Sequence, residues 1–139
     1  MLTRDYISRI IRTFFQALEL LFTGKKEDEE EQEKKLEELY LTYFEKSRQD
    51  FLTEKAEDMM VYLKEDPYYL EKCGMLGEVL YREFHRAEDP VLKENLARKV
   101  IYLYDYVNNH SADYSLIYVN RTLELEDYLR EVAGQQKAE

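Results

Sequence analysis

Apolar side chains at the start of the chain recur every three or four positions, and this spacing predicts one amphipathic helix over residues 1–23. Thr3 is placed to cap its start and Gly24 to end it. The apolar stripe consists of Tyr6, Ile7, Ile10, Ile11, Phe14, Phe15, Leu18, Leu21 and Phe22. A stripe this wide has to be covered by the protein's own helices, by another protein or a second copy, or by an anionic membrane surface.

The next segment carries acidic residues first and lysines later. That order complements the dipole of a helix over residues 29–46, which follows a linker at 24–28. Ser47 with Asp50 resembles a capping box, so a short turn is expected at 47–52, and Thr53 is placed to cap a third helix over 54–64. No Gly or Pro occurs between 28 and 65, so a single long helix over 29–64 is the alternative.

The second half of the chain is punctuated by Glu-Asp-Pro at 65–67 and again at 88–90. Asp followed by Pro favours a helix start, because proline lacks only an amide proton that would be unpaired there. The two starts predict helices over 67–86 and 90–109, and Ser111 or Asp113 opens another over 112–132. The tail at 134–139 is expected to be frayed.

Glycine and proline are scarce, at 4 and 2 of 139 residues, which favours an all-α protein. Short joints predict five to six antiparallel helices in one domain over residues 1–133, of which 29–133 form hairpins. Gly74 and Gly77 leave a notch where another helix can come close. The single cysteine, Cys73, excludes an internal disulfide and fits a cytoplasmic protein.

The net charge of −10 argues against nucleic acid as a partner, because phosphate backbones repel an acidic body. Basic residues gather at the N-terminus, where Arg4, Arg9 and Arg12 form a candidate basic patch. This patch has the sign needed for an anionic membrane surface, but Glu19 and the acidic second helix oppose such binding. The same segment is too polar for a secretory signal and too short to span a bilayer.

Catalytic and metal-binding patterns are missing from the sequence. A di-metal bundle needs Glu three residues before His, whereas Arg82 precedes His85 and Val107 precedes His110 at that spacing. One cysteine and two histidines make no zinc set, and the four glycines are too scattered for a phosphate loop. We therefore expect no metal, no cofactor and no catalytic residue, with Cys73 as a small core residue.

Tyrosine is abundant, with 13 residues against 6 Phe and no Trp. Tyr102 and Tyr106 lie one helical turn apart and continue the row of Asn95 and Lys99, which is expected to face water. Exposed aromatic residues of this kind are enriched at protein interfaces. The pair predicts a second contact surface, unless one of the protein's own helices covers it.

The opening DYISRIIRTFFQALELLF, the acidic helix after it and a short turn like Ser47–Leu52 resemble a family of small helical proteins from low-GC Gram-positive bacteria. That resemblance implies helical hairpins and no known activity. The later hairpins also resemble degenerate tetratricopeptide repeats. Leu76-Gly77 is similar to the Leu-Gly of a first repeat helix, and Ala97, Ile101 and Tyr104 to the small-large spacing of the second.

The preferred hypothesis is a non-enzymatic protein-interaction or assembly module, whose partner is another protein or a second copy in a homodimer through the first helix. The alternative is a small-ligand or peptide binder with a tyrosine-lined groove between hairpins, and the third is a peripheral membrane protein. The candidate interaction residues are Tyr102, Tyr106, Tyr6, Ile10, Phe14, Phe15 and Leu18.

Overall fold

The computed structural model describes the backbone of residues 2–23 and 28–138 and the side chains of residues 4–23 and 28–135. Every regular element in those ranges is a helix, which confirms the all-α class, but there are seven helices and not five to six. Most of the predicted linker, including Gly24, lies outside the described residues. The helices are α1 (Leu2–Thr23), α2 (Glu29–Phe44), α3 (Arg48–Thr53), α4 (Ala56–Leu63), α5 (Tyr69–Arg86), α6 (Pro90–His110) and α7 (Leu116–Ala138).

The additional helix is α3, which occupies the segment where the sequence predicts a turn. Ser47 caps it as expected, since its hydroxyl accepts a hydrogen bond from the Asp50 amide at 3.2 Å. Thr53 does not cap the next helix; its hydroxyl donates to the carbonyl of Gln49 at 2.9 Å. Phe51 and Leu52 are buried, and this burial holds six residues in a helix that would be too short to persist alone.

A single helix over 29–64 is therefore wrong, although neither break contains glycine or proline. The first break is at Glu45, where the backbone enters the left-handed region with φ of 54°. The second follows Thr53, where Glu54 and Lys55 are extended. Both breaks let buried side chains of α3 and α4 face inward, a tertiary requirement that local propensity does not encode.

In the second half of the chain, some helix boundaries lie where the sequence predicts them and others are shifted. The Asp89 cap is confirmed, because its carboxylate accepts from the Val91 amide at 3.3 Å. Asp66 forms a turn by accepting from the Tyr68 amide at 2.8 Å, so α5 starts two residues later than predicted. Ser115, and not Ser111 or Asp113, opens α7 through its hydroxyl, which accepts from the Tyr118 amide at 3.2 Å. The backbone of α7 stays helical past the predicted fraying point, to Ala138.

The chain divides into two compact units, and the first comprises Met1–Met75. Its centre is an aromatic cluster around Phe14, whose ring lies edge-on to Tyr43 at 5.2 Å and to Phe44 at 5.8 Å between centroids. Phe44 in turn meets Phe51 at 5.7 Å. Part of the α1 stripe, namely Ile7, Phe14 and Leu18, is buried within this unit. α1 is thus one wall of the core of the first unit.

The second unit, Leu76–Glu139, is built from the rest of α5 with α6 and α7. Its core residues include Leu76, Val79, Leu80, Leu96, Val100, Leu103 and Leu125. The predicted close approach at Gly77 is present, because the ring of Tyr104 from α6 lies directly against it. Tyr104 is fully buried and stacks on Tyr118 of α7, with ring centroids 4.1 Å apart.

Gly77→Ala is expected to lower the free energy of unfolding by about 1–2 kcal/mol, because overpacking outweighs the better helix propensity of alanine. An added Cβ would lie 2.6 Å from Cε1 of Tyr104, whose stacked ring has little room to move. Gly134→Ala is the matched control, since nothing lies within 4 Å of its added Cβ. Urea denaturation of both variants measures the difference, and equal stabilities would contradict the tight contact.

No helix within the described ranges combines the length and the apolarity needed to cross a membrane.

Candidate functional site

A groove with a volume of about 650 Å³ opens on the first unit. Four of its lining residues are tyrosines, and we call it the tyrosine groove after them: Tyr6, Tyr43, Tyr62 and Tyr68. They come from α1, the end of α2, the end of α4 and the turn before α5. The volume falls in the usual range for ligand pockets, about 300–1,000 Å³.

The Tyr62 hydroxyl links α4 to the end of α2. It donates to the carbonyl of Phe44 at 2.5 Å and lies 3.1 Å from the carbonyl of Glu45. The last carbonyls of a helix have no partner within the helix, so a side-chain donor there stabilises the end. This contact holds Tyr62 against Glu45, whose left-handed backbone turns the chain away from α2.

The turn at 64–68 supplies further lining residues of the groove. The amides of Glu65 and Asp66 bond back to the carbonyls of Tyr62 and Leu63 at 3.3 and 3.0 Å, which closes the end of α4. The Asp66 carboxylate then accepts from the amide of Tyr68. As a result the Tyr68 ring lies near Tyr6 of α1, at 6.2 Å between centroids.

Negative charge dominates the lining, with Glu45, Glu65 and Asp66 against the single ammonium of Lys72. Lys72 is already engaged, because its Nζ donates to the carbonyl of Tyr43 and lies 3.9 Å from Asp66 Oδ2. The pKa of Tyr62 is raised, first by burial and then by the nearby carboxylates, with Glu45 the largest of them. The groove therefore has an electronegative interior with aromatic walls.

The predicted contact residues of the first helix separate into two groups. Tyr6 and Ile10 line the tyrosine groove, and Tyr6 is 56% exposed. Phe14 and Leu18 are fully buried inside the first unit, where they pack in the core. The reason is that α2 and its neighbours cover the middle of the stripe, whereas Phe15 is only half-buried. Arg4, Arg9 and Arg12 are exposed and do not line the groove.

The predicted surface on α6 is less open than its sequence suggests. Tyr102 is 36% exposed, but Tyr106 is half-buried and its ring stacks on His110 with centroids 3.9 Å apart. Lys99, expected to face water in the same row, is only 2% exposed. His110 lies at the end of α6, where its Nδ1 is 2.8 Å from the carbonyl of Tyr106. Tyr102 and Tyr106 do not line the tyrosine groove.

A polar network in the second unit was not anticipated from the sequence. Arg121 of α7 donates to the Tyr104 hydroxyl at 2.8 Å, pairs with Glu78 at 3.0 Å and lies over the Tyr81 ring at 4.2 Å. Glu124 accepts from the Tyr81 hydroxyl at 2.5 Å and pairs with His85 at 3.1 Å. Burial and then the bond to Glu124 raise the pKa of Tyr81 to about 12. This network joins α5, α6 and α7.

The remaining reactive groups are poorly placed for chemistry. Cys73 is buried with its Sγ 3.9 Å from the Met60 sulfur, and burial raises the pKa of its thiol to about 12. A thiol in that state is a weak nucleophile. Within the described part of the chain, no three His, Cys, Asp or Glu side chains are grouped to hold a metal ion.

Most residues of the tyrosine groove were missed from the sequence. Tyr43 fits the inward-facing stripe of the second predicted helix, and the sequence pattern singles out neither Tyr62 nor Tyr68. The one local signal was the Glu65-Asp66-Pro67 turn, which indicates a change of direction close to an aromatic residue. No family model, curated protein or solved structure matches the chain.

Proposed function

We propose that the protein is a non-enzymatic interaction module that binds a segment of a partner protein in the tyrosine groove. The observation that carries this proposal is the meeting of four tyrosines from separate elements around one open volume of about 650 Å³. Tyrosine rings supply contact area with little loss of side-chain entropy, and their hydroxyls pair with peptide groups. A groove of this kind suits a peptide better than a flat surface would.

The position of α1 supports this proposal. Its buried residues anchor it to the first unit, so Tyr6 and Ile10 are held in place before any ligand arrives. A preformed wall lowers the entropy lost on binding. One set of apolar side chains on α1 therefore packs in the core, and another set lines the groove.

The non-enzymatic part of the proposal rests on the chemistry of the groove. Its titratable groups are carboxylates, tyrosines and a lysine whose ammonium is bonded to a backbone carbonyl. No histidine or cysteine lines it. General acid–base or covalent catalysis needs a group whose pKa lies near the working pH or an activated nucleophile.

We also propose that the second unit is a tetratricopeptide-like hairpin. The Leu76-Gly77 pair lies on α5, and Gly77 receives the Tyr104 ring from α6. This small-against-large contact supports the resemblance of Leu76-Gly77 and of Tyr104 to the corresponding positions of a tetratricopeptide repeat. Such hairpins commonly carry interaction surfaces, in keeping with a binding module.

A random-peptide display library selected on the full chain tests the proposal. Selected peptides are expected to bind Tyr6→Ala about tenfold more weakly, because removing a groove-wall tyrosine removes a typical interface anchor. Tyr6 is largely exposed, so the variant should keep its fold.

Tyr114→Ala is the matched control, because Tyr114 is 66% exposed, lies in the second unit and does not line the groove. It should bind the selected peptides with unchanged affinity. Selection of no peptide, or of peptides indifferent to Tyr6→Ala, would refute binding in the tyrosine groove.

A further inference from the structure

We infer that the tyrosine groove takes an arginine side chain from the bound segment. This inference rests on the proposed function and names the ligand chemistry of the same site.

The negative ends of two helices meet at the groove. α2 ends at Phe44 and α4 at Leu63, and both residues line the open volume. The carbonyl end of a helix carries partial negative charge, which favours a cation nearby. Three lining carboxylates add full charges of the same sign. The site is therefore complementary to a positively charged group.

The internal cations leave part of this charge uncompensated. Lys72 is held by the Tyr43 carbonyl beside Asp66, and Lys46 is paired with Glu54 at 2.6 Å. Glu45 and Glu65 are exposed at the rim and form no ion pair within the described residues. These two carboxylates are the contacts available to an incoming cation.

The aromatic cluster already accommodates cations of the chain itself. The Lys46 ammonium lies 4.6 Å from the centroid of the Tyr62 ring, and that of Lys72 lies 5.9 Å from Phe44. Cations are attracted to ring faces by the negative charge concentrated there. Tyr6 and Tyr68, which line the groove with their rings 6.2 Å apart, offer further aromatic surface to a ligand.

Arginine fits these features better than lysine. A guanidinium is planar, so it stacks on a tyrosine ring while its N–H groups reach a carboxylate in a paired fashion. It is also less strongly hydrated than an ammonium, which eases its entry into an aromatic site. Within the second unit, the Arg121 guanidinium lies over the Tyr81 ring while its Nη1 contacts Glu78 at 3.0 Å.

The test uses the full chain and the peptides selected by display. We expect arginine at a fixed position of the groove-dependent peptides. Calorimetry should show that replacing it by citrulline, which is nearly the same shape but neutral, weakens binding about tenfold, and that lysine gives an intermediate loss.

The double variant Glu45→Gln/Glu65→Gln should weaken the arginine peptide about tenfold and leave the citrulline peptide unchanged. Glu38→Gln/Glu57→Gln changes the net charge equally at exposed sites outside the groove, so it should bind like the native chain. Circular dichroism of both variants checks that the helices are intact.

Two outcomes are distinguishable. Groove-dependent peptides without a fixed basic residue, or an equal loss for both peptides with Glu45→Gln/Glu65→Gln, would overturn the arginine assignment and leave the proposed function standing. Absence of any peptide sensitive to Tyr6→Ala would overturn both.

Discussion

Phe14→Ala should lower the free energy of unfolding by about 3–5 kcal/mol, the usual loss for a large aromatic side chain removed from a core. Phe14 is fully buried and meets the rings of Phe15, Tyr43 and Phe44 at 5.2–5.8 Å. The cavity left behind would be surrounded by rigid rings that cannot collapse into it. Urea denaturation followed by circular dichroism gives the change.

Leu20→Ala is the matched control on the same helix, because Leu20 is 76% exposed. Its loss should stay within about 0.5 kcal/mol. Comparing Phe14→Ala with Leu20→Ala shows whether α1 is part of the core or a loosely attached segment. Small and similar losses for both variants would mean that α1 is not anchored through Phe14.

Arg121→Ala is expected to lower the free energy of unfolding by about 2–3 kcal/mol. It removes three contacts at once, to Tyr104, to Glu78 and to the ring of Tyr81. Glu78 is largely buried and would keep its ion pair with Arg82, at 3.3 Å. The buried Tyr104 hydroxyl would lose its charged donor. Thermal and urea denaturation measure the effect.

Arg98→Ala provides the control, since Arg98 is 64% exposed and its pair with Glu94, one turn away on α6, is an ordinary surface ion pair. Such pairs contribute about 0–1 kcal/mol. Arg121→Lys should rescue little, because an ammonium cannot stack on Tyr81 and reach both oxygen partners together. Full rescue by lysine would show that charge alone matters there.

Part of this fold is predictable from the sequence because its signals are local. The cap at Asp89 and the core residues Leu36, Leu39 and Tyr40 follow from spacing within a single helix. The start of α7 is harder to predict from the sequence, because Ser115 is held by two hydrogen bonds to Asn108, seven residues earlier. Ser111 and Asp113 carry suitable side chains, but they lack this second contact.

The tyrosine groove is not predictable in this way. Its four tyrosines are spread from position 6 to position 68, and each also fits an ordinary core stripe or a turn. The packing of α1 against α2, the bond from Tyr62 to the end of α2 and the turn at Asp66 bring them around one volume. Composition predicts a tyrosine-lined groove between hairpins, but which tyrosines share a groove depends on contacts between distant segments.

The left-handed turn at Glu45 has an evolutionary consequence. A glycine would adopt this backbone with less strain, by about 1 kcal/mol, so a chain selected for durability alone would gain by losing the side chain. If Glu45 meets the partner's arginine, the chain gives up stability at this residue in exchange for recognition. A substitution at this position that stabilises the protein would then weaken its binding to the partner.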